Sequence, residues 1–190
     1  MSDKSFDFEY LKNQLNAGLT ANGTIREELV IEIEKFAAAL CEGQITQSSI
    51  RKIYNSFKAL QFKMQQELMV LVSRGVTGDT ADVNFEDAMQ KVFLKIKPLI
   101  RLMKSKSKYV IERNKEKQNI IAYENLQEFI STCVDKINNV EEFNAFMDLF
   151  ECIIANLKEE RGGKDDAVSK NIEHKENFKS KERYKNSRIR

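Results

Sequence analysis

Apolar residues return every three or four positions along most of this chain, the spacing that lines one face of an α-helix. In residues 24–43 that face is Ile25, Leu29, Ile33, Phe36, Ala37 and Leu40. Thr24 and Glu27 are spaced as a capping box, hydroxyl to the Glu27 N–H and carboxylate back to the Thr24 N–H. Gly43 stands where a left-handed C-terminal cap is expected. A second helix is predicted from Thr46, a good N-cap, to about Ser73. Its face is Ile50, Ile53, Tyr54, Phe57, Leu60 or Gln61, Met64, Leu68 and Leu71. Gly75 to Asp79 then reads as a loop.

A third helix is predicted from near Asn84, with Phe85, Ala88, Met89, Val92, Phe93 and Ile96 inward. Pro98 lacks an N–H and crowds the preceding turn, which predicts a kink or break at Lys97. The polar run Lys104 to Lys108 reads as a loop or helix end. A fourth helix is expected over Tyr109 to Ile137, with Ile120 or Ile121, Leu126, Phe129, Ile130, Cys133, Val134 and Ile137 as its face. The last starts at Asn138 or Asn139, carries Phe143, Phe146, Met147, Phe150, Ile153, Ile154 and Leu157, and ends at Arg161-Gly162-Gly163. Ahead of these, Phe8, Leu11, Leu15 and Leu19 suit a short helix capped by Asp7, weakened by Gly18 and Asn22-Gly23. No useful strand alternation occurs. The expected architecture is therefore all-α, a bundle of about five helices. Residues 1–23 form an N-terminal arm, 24–160 the bundle, and 161–190 a disordered basic tail poor in apolar residues.

Composition supports this reading. The 190 residues include one Pro and seven Gly, so elements are long and turns few. Cys41, Cys133 and Cys152 are odd in number, form no C-x-x-C pair and sit among apolar neighbours, which suggests buried, reduced thiols. The N-terminus reaches no apolar signal region, and no run of about 18 apolar residues offers a membrane span. A soluble, cytoplasmic protein with no membrane partner is expected.

Charge changes the picture. Lys and Arg total 31 against 29 Asp and Glu, a near balance. Yet Lys91 to Lys117 holds Lys91, Lys95, Lys97, Arg101, Lys104, Lys106, Lys108, Arg113, Lys115 and Lys117 against only Glu112 and Glu116. Phe93, Leu94, Ile96, Leu99, Ile100, Leu102 and Tyr109 lie between them. A segregated basic stripe with interleaved apolar residues is how a helical surface meets a phosphate backbone. A solvated helix face carries the same charges.

Catalytic groups are missing. The one histidine, His174, lies in the tail, which argues against histidine-based acid–base and triad chemistry. A di-metal bundle needs inward Glu-x-x-His pairs, and the core helices have no His. Glu124 and Glu128 share a face but have charged neighbours. No glycine-rich phosphate loop occurs. A binding or assembly protein, not an enzyme, with no metal or cofactor, is expected.

Three segments carry a resemblance: Ile45-Thr46-Gln-Ser-Ser-Ile50-Arg51-Lys52-Ile53-Tyr54; Lys97-Pro98-Leu99-Ile100 followed by Tyr109-Val-Ile-Glu-Arg113; and Phe143-Asn-Ala-Phe146-Met-Asp-Leu-Phe150-Glu151-Cys-Ile153-Ile154-Ala155. In this order, over residues 24–158, they resemble the small subunit of type III-A CRISPR effector (Csm) complexes. Ser49 stands where the family has Gln, Cys152 where it has Ala, and the basic run Arg101 to Lys108 is inserted. The resemblance implies a non-catalytic subunit. Copies of it stack head to tail as a minor filament beside the backbone and large subunits and contact the target RNA backbone without sequence preference. Guide pairing reads the sequence, so phosphate contacts suffice. Arg51 and Lys52 are the first candidate contacts, and a plain surface pair is the other reading of them. Lys97, Arg101, Lys104, Lys106, Lys108 and Arg113 are the second group. For stacking, acidic residues of the first and last helices (Glu27, Glu28, Glu32, Glu34; Glu141, Glu142, Asp148, Glu151) are expected to meet the basic middle of the next copy.

Two other readings fit the same features. One is the small subunit of the related type III-B complex. The other is a helical RNA-binding or interaction module unrelated to CRISPR, which predicts binding to any single strand and no partner subunits.

Overall fold

The computed structural model describes residues 6–76, 85–115 and 119–157. They are 84 % helical, in six helices with one two-residue hairpin, and belong to one unit within Met1–Lys158. The expected helix end at Arg161-Gly162-Gly163 and the basic tail lie outside the described residues, as do residues 77–84, with the expected helix start at Asn84.

Helix α1 (Phe8–Asn16) is capped as expected: Asp7 Oδ1 accepts from the Glu9 and Tyr10 N–H groups at 2.9 and 3.2 Å. Leu11 and Leu15, with Leu19 beyond the helix, are fully buried against helices α2 (Glu27–Glu42) and α5 (Ile120–Lys136). Between α1 and α2 the chain makes a hairpin, β1 (Thr20–Ala21) with β2 (Thr24–Ile25). Its turn is Asn22-Gly23, with φ +53° and +79°. That dipeptide supplies the two left-handed residues a tight hairpin turn requires.

The hairpin overturns the capping box. Thr24 is drawn into the ladder and its hydroxyl donates to the Ala21 carbonyl at 3.0 Å. The N-cap of α2 is Arg26, which makes no side-chain cap bond. Arg26 instead reaches back, its guanidinium donating to the Gln14 and Gly18 carbonyls at 2.8 and 3.1 Å and to Gln14 Oε1 at 2.8 Å. A cation over the carbonyls that end α1 is favoured by the helix dipole.

Gly43 is not the left-handed residue either: its φ is −74°, and Gln44 carries the positive φ of 58°. Glycine is needed at 43 for space, because a Cβ there would collide with Ala122 Cβ of α5.

Helix α3 (Gln47–Val76) begins as predicted. Thr46 Oγ1 accepts from the Ser49 N–H at 3.3 Å and shares a 2.9 Å hydrogen bond with the buried Ser49 hydroxyl. It runs on to Val76, past the expected loop start at Gly75.

Helix α4 (Phe85–Asn114) corrects three expectations. It neither breaks at Lys97 nor ends in the Lys104–Lys108 run, and the next helix does not start at Tyr109. Pro98 removes one hydrogen bond, to the carbonyl of Leu94; Leu94 is exposed, so water can take that carbonyl. Ile96, Ile100, Met103, Ser107 and Ile111 are buried on both sides of the proline, and this continuous inward face holds the helix together. The boundary falls instead between Asn114 and Ile120. Ile120 and Ile121, offered as core positions, are exposed; Ala122 and Tyr123 point inward instead.

Helix α6 (Val140–Asn156) is the centre of the bundle and touches α2, α3, α4 and α5. Its Val140, Phe143, Ala145, Phe146, Met147, Leu149, Phe150 and Ile153 are buried nearly all round, as a central helix requires. Asn139 caps it, accepting from the Glu142 N–H at 2.8 Å, and Glu142 returns to the Asn138 N–H at 2.6 Å. Phe36, Phe57, Phe129, Phe146 and Phe150 join four helices into one aromatic core, with Phe57 and Phe146 edge to face at 4.9 Å. Such pairs add about 0.5–1.5 kcal/mol beyond area burial.

Cys133 is buried, as expected for all three thiols, but Cys41 and Cys152 are only half-buried, at the edges of α2 and α6.

Candidate nucleic-acid interface

Each residue of α4 turns about 100° about the axis, and that rotation splits the basic stretch between two flanks of the buried face. Lys97, Lys104 and, just past the helix, Lys115 meet the α5–α6 side. Lys97 Nζ donates to Asn138 Oδ1 at 3.2 Å and lies 6.0 Å from the Phe93 ring centroid. Lys104 Nζ is 2.7 Å from Asp135 Oδ2, and Lys115 Nζ is 3.0 Å from Glu124 Oε1. The Glu124 carboxylate holds the Lys115 ammonium pKa above its ordinary value. These three cations clamp α4 along α5. Arg101 and Lys108 lie further round, exposed, each seven residues from the next in line with exposed Leu94.

Lys91, Lys95, Lys106 and Arg113 fall on the other flank, towards α3. There Glu67 of α3 lies between two cations, 4.0 Å from Lys63 Nζ and 3.9 Å from Lys95 Nζ. The Glu67–Lys95 pair marks the register of the antiparallel α3–α4 hairpin. The first turns of α3, carrying exposed Lys52, therefore lie beside the last turns of α4, carrying exposed Lys106 and Arg113, whereas Arg51, seven residues before Lys58, falls on the α6 flank of α3. So Lys52 of the first candidate group and Lys106 and Arg113 of the second, far apart in sequence, lie at one end of a single hairpin, and the other candidates do not. Among the described residues, Lys52, Arg101, Lys106, Lys108 and Arg113 make no ion pair.

Apolar and aromatic side chains are exposed between these charges: Phe62, Met69 and Val70 on α3, and Leu94, Leu102 and Tyr109 on α4. Val70 and Leu71, with Gln66, Glu67 and Lys95, line a shallow open cleft where the helices part.

Lys63 and Lys95 belong to this face although neither was a candidate. Lys95 lay within the basic stretch, whereas Lys63 sits among Gln65, Gln66 and Glu67, which dilute any charge signal. Lys58, also on α3, turns the other way: it lies 4.0 Å from Glu151 of α6, which accepts the Tyr54 hydroxyl at 2.9 Å. Burial, then the Glu151 hydrogen bond, raise the Tyr54 phenol above its ordinary value.

The Glu124 and Glu128 carboxylates are taken by Lys115 and by Lys12, the latter at 3.0 Å. Among the described residues no group of three His, Cys, Asp or Glu is placed to hold a metal ion, and no helix is long and apolar enough to cross a membrane.

The class defined by these features is a helical bundle with one cationic hairpin face. The family model for Csm2 of type III-A matches residues 24–162, and the chain belongs to that family, the small subunit of type III-A CRISPR complexes. The matched span coincides closely with the 24–158 over which the sequence resemblance runs. No curated protein and no solved structure matches the chain.

Proposed function

We propose that this chain is a non-catalytic RNA-holding subunit that grips the target RNA backbone through the outer face of the α3–α4 hairpin, without reading sequence. The observation that carries the reading is the gathering of exposed Lys52, Lys106 and Arg113 at one end of that hairpin, with Arg51 on the adjoining flank of α3. Cations on a rigid helix pair give contacts that depend on phosphate geometry and not on bases. Lys63 and Lys95 extend the track. Arg101 and Lys108 form a second row, and Lys97 and Lys104 serve the bundle first.

That second row also suits self-association within a complex that includes backbone and large subunits. Leu94, Arg101 and Lys108 form a line of one apolar and two cationic residues. The outer face of α2 offers the complement, Glu27, Glu28 and Glu34 around exposed Ile31. Of the other acidic residues considered, Glu32 is held by Lys35 at 2.6 Å and Glu142 by its capping bond. The family setting supports a cytoplasmic site of action.

The test is to purify the tagged chain from its native cell, identify co-purifying proteins and sequence the bound RNA. Recovery of CRISPR backbone subunits with short, uniform guide RNAs is expected. Recovery with heterogeneous RNA and no partner subunits would favour the general RNA-binding module. Reversal of Glu28 and Glu34 to Lys is expected to reduce the number of copies assembled, and unchanged assembly would remove α2 from the stacking surface.

A further inference from the structure

We infer that Tyr109, flanked by Lys106 and Arg113, is a stacking seat for an unpaired nucleobase, so that this end of the hairpin takes single-stranded RNA in preference to duplex. The inference rests on the proposed RNA-binding role and specifies the form of RNA at that site.

Tyr109 is 67 % exposed, and among the described residues its side chain makes no hydrogen bond or ring contact. The other tyrosines nearer the core behave differently. Tyr123 is 1 % exposed, and Tyr54 is bonded to Glu151 and stacks edge to face with Phe150 at 5.8 Å.

Its surroundings supply what a stacked nucleotide needs. Lys106 and Arg113, three residues before and four after, share its face of α4. Helical rise places them about 4.5 and 6 Å away along the axis, on either side of the ring. Their long side chains can reach the phosphates on both sides of one nucleotide. Leu102, half-exposed and seven residues before Tyr109, extends the apolar strip. An exposed aromatic ring within a cationic track is the arrangement by which proteins hold single strands without sequence preference, because every base has a π-face. Bases inside a duplex are already stacked on each other and cannot use it.

The test compares the full-length chain with Tyr109→Ala, Tyr109→Phe and Lys106→Gln, each binding a short labelled oligouridine and an RNA duplex of equal length across a salt series. Tyr109→Ala is expected to weaken oligouridine binding by about five-fold or more, from the usual worth of one stacked base, leaving duplex binding and the salt slope unchanged. Tyr109→Phe is expected to bind as the wild type, since the ring and not the hydroxyl does the stacking. Lys106→Gln is expected to lower the salt slope for both RNAs. Wild-type oligouridine affinity in Tyr109→Ala, or equal loss on both RNAs, overturns the stacking seat and leaves the backbone reading standing. A wild-type chain that binds neither RNA overturns both.

Discussion

The Lys104 ammonium stands 2.7 Å from the Asp135 carboxylate, bound to α5 and turned away from the α3–α4 face. Lys106, two residues on, points to the opposite flank and makes no ion pair among the described residues. Neighbouring lysines of one basic run therefore stand in different surroundings. Lys104→Ala is expected to leave RNA affinity within about two-fold and to cost at most about 1 kcal/mol of stability, as exposed pairs do. Lys106→Ala and Arg113→Ala are each expected to weaken single-strand binding and to reduce its salt slope by about 0.7. Filter binding at several salt concentrations distinguishes them; equal losses from Lys104→Ala and Lys106→Ala would show that the two flanks are not functionally distinct.

Gly43 is fixed by its neighbour and not by its backbone. With φ at −74°, alanine is conformationally acceptable there, but its Cβ would collide with Ala122. Gly43→Ala is expected to destabilise the bundle by about 1–3 kcal/mol, the cost of overpacking. Ala122→Gly in the same chain should recover part of the loss. Urea unfolding of the single and double variants measures this, and no recovery in the double variant would point to a backbone cause.

The three thiols should separate in reactivity. Cys133 is fully buried, and burial pushes its pKa well above the ordinary value, so at neutral pH neither access nor thiolate is available. Cys152 is half-buried, its pKa raised by burial and by Glu34, and Cys41 is half-buried on α2. Iodoacetamide on the folded chain is expected to label Cys41 and Cys152, Cys152 faster as pH rises, and to label Cys133 only after denaturation. Peptide mass mapping reads the order, and early labelling of Cys133 would contradict its burial.

The reciprocal cap at the start of α6 matters because that helix is central. Asn139 Oδ1 satisfies the Glu142 N–H, and the Glu142 carboxylate satisfies the Asn138 N–H. Asn139→Ala is expected to cost about 1 kcal/mol, whereas Asn139→Asp keeps the acceptor and should be close to neutral. Thermal unfolding checks both, and an unchanged midpoint in Asn139→Ala would mean the cap is replaced by water at no cost.

The sequence by itself determined that the chain is helical, where most inward faces lie, and which family it resembles. Period and motif order are local properties, and they read correctly wherever a long apolar face dominates, as in Phe143 to Leu157. The caps at Asp7 and Thr46 were equally legible because each depends on a side chain within three residues of its partner, and the start of the last helix was narrowed to Asn138 or Asn139. Thr24 was misread because the Asn22-Gly23 turn captured it first, a contest between two local signals.

Only the tertiary structure decided the rest. Pro98 favours a break, yet the buried row from Ile96 to Ile111 carries α4 through it, because burial of a continuous face outweighs one lost hydrogen bond. Gly43 owes its identity to Ala122, far along the chain. The basic stretch was visible as a charge count, but its division into clamps on α5 and a face beside α3 depends on how α4 is rotated in the bundle. A linear sequence records which cations exist; packing between distant helices determines which carboxylates reach them.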